Sequence, residues 1–90
     1  MKVSSIEYKE LVAKLAKDLT RVADDLYEAI EEKLPEARRV AIIAAGQRKL
    51  SDYAALLDRV SDSATHRAEV EKRFTRQMRD IQGFLKTLAT

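Results

Sequence analysis

Few residues in this chain are of a type that does chemistry. His66 is the one histidine and cysteine is absent, which excludes disulfides and thiolate nucleophiles and leaves any zinc site to carboxylates. A di-iron bundle needs Glu-x-x-His pairs on two helices, and the sequence has none. The acidic cluster around Glu28, Glu31 and Glu32 reads as a solvated face, because a hard-cation site wants a loop to shape it. His66 reads as a surface residue near a helix start, and Tyr8, Tyr27 and Tyr53 as amphipathic edge residues. No catalytic residue, cofactor-binding residue or metal ligand is therefore assigned. The chain is expected not to be an enzyme and to take no cofactor or small-molecule substrate.

Charge offers more. The net charge of +2, from 17 Lys+Arg against 15 Asp+Glu, is too small to argue for nucleic acid by itself. Its distribution is uneven: Asp24, Asp25, Glu28, Glu31 and Glu32 form one stretch, and Arg67, Lys72, Arg73, Arg76 and Arg79 another. The five basic residues, with Arg38, Arg39, Arg48 and Lys49 earlier, suffice for contacts to a phosphate backbone. They do not form a helix-turn-helix signature, and no aromatics are interleaved with them for base stacking. Mutual pairing or solvation of the two stretches is the simpler account, each exposed pair giving at most about 1 kcal/mol.

The run Val40-Ala41-Ile42-Ile43-Ala44-Ala45-Gly46 is apolar for nearly two helical turns, whereas a helix in a small bundle needs one apolar face. Either Val40, Ile43 and Ala44 face the core and the other alanines are merely tolerated outside, or the run carries a second contact surface. In the second reading Ala41, Ala45 and Gly46 admit a close helix while Ile42 supplies area.

These residues must be positioned by helices. Ala, Leu, Glu, Lys and Arg dominate, with two glycines and one proline, so the class is all-α. Ser4 and Glu7 make a capping box, with Val3 and Tyr8 placed to staple it. Leu11, Leu15, Leu19, Val22, Leu26, Ile30 and Leu34 continue as a stripe. Pro35 fits the first position of a new helix, followed by Glu36 at its positive end. Ile43, Gly46, Leu50, Tyr53, Leu57 and Val60 alternate by three and four, the seam of a left-handed helix pair. Ser61-Asp62-Ser63 supplies capping residues for a second corner, and Val70, Phe74, Met78, Ile81, Leu85 and Leu88 complete the pattern. The expectation is a single-domain antiparallel three-helix bundle with helices at about 4–34, 36–61 and 63–88. The alternative is a helical hairpin whose second helix runs unbroken from 36 to 88, since the apolar phase persists through 61–63. In a bundle the first and last helices run parallel, which sets the acidic and basic stretches side by side.

Two partial resemblances accompany this reading. Arg38, Arg39, Gly46 and Lys49, with Arg21 earlier, resemble in spacing the cationic residues with which small helical chorismate mutases hold a dicarboxylate, implying substrate binding by Arg21, Arg38 and Lys49. The chain departs from that family at Pro35, which interrupts one long family helix. It also lacks the Arg-Glu pair expected near Arg59 to Asp62 and the late catalytic glutamine. The segment from Ala41 to Tyr53 is similar to the start of the second helix in type III secretion needle subunits, hairpins that polymerise, which implies assembly. The chain after Tyr53 is longer than in that family and the turn shorter.

The expected function is a protein-protein interaction or assembly module, self-associating or binding a helical partner through Val40, Ala41, Ile42, Ala45 and Gly46. Second is nucleic-acid binding by Arg67, Lys72, Arg73, Arg76 and Arg79. The amino terminus lacks the apolar stretch of a secretory signal, no segment reads as a membrane span, and the expected location is cytoplasmic.

Overall fold

A computed structural model describes residues 4–89. Three helices, α1 (Ser5–Glu31), α2 (Glu36–Arg59) and α3 (Ala64–Ala89), pack against one another in an elongated bundle of 44 × 18 × 16 Å. The unbroken second helix is ruled out.

Local chemistry accounts for each boundary. Ser4 caps α1 by accepting from the Glu7 N–H at 3.1 Å. The reciprocal half of the capping box is not made, because the Glu7 carboxylate pairs with Arg59. The staple rests on Val3, which lies outside the described residues. Helix α1 stops at Glu31, three residues before Leu34, with Glu32 extended at φ −115° and ψ 150°. Pro35 accounts only for Leu34, since it disfavours helical backbone in the residue before it. Pro35 is the N-cap of α2, with φ −56° and ψ 147°, one position earlier than its expected place as first helical residue. Its carbonyl accepts from the Arg39 N–H at 3.0 Å. At the second corner the Ser61 hydroxyl donates to the Asp58 carbonyl at 2.7 Å, and Ser63 Oγ accepts from the His66 N–H at 3.3 Å. One serine thus terminates α2 and another starts α3, and the apolar phase resumes across the break.

The topology is up-down-up. Along α1 and α2 the partners run in opposite senses: Glu7 with Arg59, Asp18 with Lys49, Glu28 with Arg38. Along α1 and α3 they run together: Tyr8 with Glu69, Thr20 with Gln77, Tyr27 with Phe84. The core is supplied unequally. Helix α1 buries Val12, Leu15, Leu19, Val22, Leu26 and Ala29, and α3 buries Val70, Phe74, Met78, Ile81 and Leu88. Helix α2 buries only Gly46 and Leu56, with Val60 just past its end.

Candidate functional site

The structure divides the apolar run of α2. Gly46 is buried inside the bundle, and a Cβ there would lie 3.0 Å from a Leu85 methyl and 3.3 Å from a Leu26 methyl. Its small size therefore serves the close approach of α2 to α1 and α3, not that of an outside helix. Ile42 and Ile43 are half-buried against the core, and Ala45 is half-buried. Val40, 58% exposed, and the exposed Ala41 and Ala44 face solvent. Of the five expected partner-binding residues, Val40 and Ala41 are outward, while Ile42, Ala45 and Gly46 are partly or wholly occupied within the bundle. The other reading also needs amendment, since Val40 and Ala44 do not face the core.

Outward positions recur along α2. Ala37, Val40, Ala41, Ala44, Ala54 and Ala55 are all exposed, and helical periodicity places them on one side together with Gln47, Arg48, Ser51 and Asp58. In a chain that is 36% charged, this side shows small apolar residues where α1 and α3 show lysine, arginine and glutamate.

The basic residues separate in a similar way. Arg67 turns toward α2 and binds Glu71 through Nε at 3.0 Å. Among the described residues, Lys72, Arg73, Arg76 and Arg79 have no carboxylate within 4.0 Å. All four are exposed. Lys72, Arg76 and Arg79 share the outer side of α3, and Arg73 stands at its edge toward α1, its guanidinium 5.6 Å from the Phe74 ring centroid.

Between the beginnings of α1 and α3 lies an open groove of about 610 Å³. Its floor is Val12, Ala13 and Val70, and Lys9, Lys72 and Arg73 rim it. Tyr8 closes one end, its hydroxyl donating to Glu69 Oε2 at 2.8 Å and its ring stacked on His66 with centroids 3.9 Å apart. Burial pushes the Tyr8 hydroxyl above the usual phenol range, the hydrogen bond to Glu69 adds to that, and nearby Arg73 opposes it. Sequence reasoning singled out Lys72 and Arg73 and placed Val70 in an apolar stripe, but missed Lys9, Glu69 and Val12. The missing signal was the parallel register of α1 and α3, which only tertiary packing defines.

That register also corrects the expectation about charge. Residues paired between α1 and α3 differ in number by 57 to 61. The basic stretch therefore stands beside the first two thirds of α1, and the acidic stretch, Asp24 to Glu32, stands beside the end of α3. The two are staggered along the long axis, not side by side.

A second cleft lies on the α1/α2 seam, where Lys49 Nζ is held by Asp18 at 3.2 Å and Asp52 at 3.0 Å, with Lys14 and Arg59 on its walls. The hydrogen bond to Asp52 is the main reason the Lys49 ammonium titrates above its ordinary range; burial opposes it and Asp18 assists. Arg21 and Arg38 do not line this cleft. Arg38 instead faces Glu28 at 3.7 Å, so the three cations of the chorismate mutase resemblance do not meet in one cleft.

Among the described residues no three His, Asp or Glu side chains are grouped to hold a metal, and no helix is long and apolar enough to cross a membrane. Comparison with protein-family models, curated proteins and solved structures found no match to this chain.

Proposed function

We propose that the protein is a non-enzymatic interaction or assembly module that takes a helical partner, a second copy of itself included, on the outer side of α2. The observation that carries this is the exposed row Ala37, Val40, Ala41 and Ala44, continued by Ala54 and Ala55. Small side chains allow two helix backbones to approach to roughly 8 Å, the lower end of interaxial distances. The uneven core points the same way, since α2 gives the bundle little and gains most from further contacts. A cytoplasmic setting goes with this reading.

Ala44→Glu tests it, because Ala44 is exposed and the substitution leaves the core intact. Light scattering at tens of micromolar should show a mass above that of the monomer, or pull-down should retain a partner, and Ala44→Glu should abolish either without changing helicity. A monomer whose partner binding is indifferent to Ala44→Glu overturns the reading.

Nucleic-acid binding is the second reading, favoured by the outward, carboxylate-free Lys72, Arg76 and Arg79 on α3. It requires salt-sensitive binding of mixed-sequence DNA or RNA that weakens in Arg76→Ala. No binding at low ionic strength removes it.

A further inference from the structure

The groove between α1 and α3 lies on a different side of the molecule from the outer row of α2, and its chemistry asks for a different occupant. Three cations surround it, and its one carboxylate, Glu69, already accepts the Tyr8 hydroxyl. The groove lies past the first turn of both helices, at residues 8–13 and 69–73, so its positive field comes from these side chains and not from the helix ends. Such a field exceeds what a single carboxylate neutralises and suits a dianion. Beneath the charges the floor is hydrocarbon: Val12 and Val70, 8% and 1% exposed, close its bottom, and the exposed Ala13 with the half-buried Tyr8 ring leaves apolar surface open to a ligand. A free inorganic ion leaves that surface uncovered.

We propose that this groove binds a phosphomonoester whose phosphate is joined to a compact apolar group, an aryl phosphate being the fitting chemistry. Lys9, Lys72 and Arg73 take the phosphate oxygens, Arg73 as a fork and the lysines as point charges. The apolar group lies on Ala13 against the edge of the Tyr8 ring. The groove spans residues 8–13 of α1 and 69–73 of α3, about five residues of each, or about 7 Å at 1.5 Å per residue. That length accommodates one ring and not an extended chain.

The test is a titration of the full, isotopically labelled chain, following amide shifts with phenyl phosphate, inorganic phosphate and phenol. Phenyl phosphate should shift amides within 8–13 and 69–73. Inorganic phosphate and phenol should each bind at least tenfold more weakly, because each satisfies half of the groove. Lys72→Glu and Lys9→Glu should weaken phenyl phosphate at least tenfold with helicity unchanged, whereas Lys86→Glu, near the far end of α3, should not. A phosphotyrosine peptide distinguishes sources: tighter binding than phenyl phosphate assigns the ligand to a protein side chain, and equal binding assigns it to a free small molecule. Absent or scattered shifts, equal binding of inorganic phosphate, or indifference to Lys9→Glu and Lys72→Glu overturns the proposal.

Discussion

Two glycines sit inside helices, where glycine costs about 1 kcal/mol relative to alanine, and their surroundings set different expectations. At Gly83 a Cβ meets nothing within 4 Å, so Gly83→Ala should raise stability by about 0.5 to 1 kcal/mol in urea unfolding. At Gly46 the same methyl comes within 3.0 Å of Leu85 Cδ2, the tip of a half-buried side chain. Gly46→Ala should therefore gain less than Gly83→Ala, since Leu85 must yield a few tenths of an ångström. Gly46→Leu overpacks the contact and should cost about 1 to 3 kcal/mol. If Gly46→Leu is neutral, the close approach of α2 assigned to this glycine is wrong. Lys49 is the corresponding polar position: its side chain is 20% exposed and bridges two carboxylates, one of them on α1. Lys49→Met keeps the hydrocarbon stem and removes the charge. It should cost about 1 kcal/mol, near the upper end for exposed pairs because this cation is mostly covered.

Helix ends follow the same logic one scale up. Ser63 accepts from the His66 N–H in the first turn of α3, and Ser63→Ala should cost about 1 kcal/mol with the bundle retained. Calorimetry showing no loss would mean that the corner is held by packing of Val60 and Val70 instead. This corner also shows what the sequence disclosed and what it did not. The capping residues at 61–63 were legible, as were the stripes of α1 and α3, because capping and periodicity are local properties. Val12, Ala29 and Leu56 fell outside the stripes yet are buried. Each sits one position from an assigned residue, and a bundle helix touching two neighbours buries a wider arc than one stripe describes. The run from Val40 to Gly46 was harder still. Its composition announced excess apolar surface, but which side each residue presents depends on how α2 is rotated between α1 and α3. That rotation is set by Gly46 against Leu26 and Leu85, a contact among three helices that no single segment encodes.

Across the whole molecule, side chains that titrate above neutral pH tie the helices together, and this gives the bundle a one-sided pH response. Tyr8 is raised mainly by burial and then by Glu69 of α3, Tyr53 mainly by burial and then by Glu71 of α3, and Tyr27 mainly by its hydrogen bond to Glu31 within α1. Lys49, raised chiefly by Asp52 and aided by Asp18, joins α2 to α1. All four bind their protons more tightly folded than unfolded, where the ordinary values are 10.0 for tyrosine and 10.5 for lysine. The folded state holds more protons in that range, so stability falls as pH rises. The contribution of these groups is fully present below about pH 10 and is lost as the pH climbs through their raised folded values. Urea midpoints should thus be level for these groups between about pH 8 and 9 and decline by about pH 11, with Tyr8→Phe showing a shallower decline. Unchanged midpoints up to about pH 11 would mean that the contacts of Tyr8 with Glu69 and of Lys49 with its two aspartates are not held in solution. The groove and the α1/α2 seam would then lose the side chains that shape them.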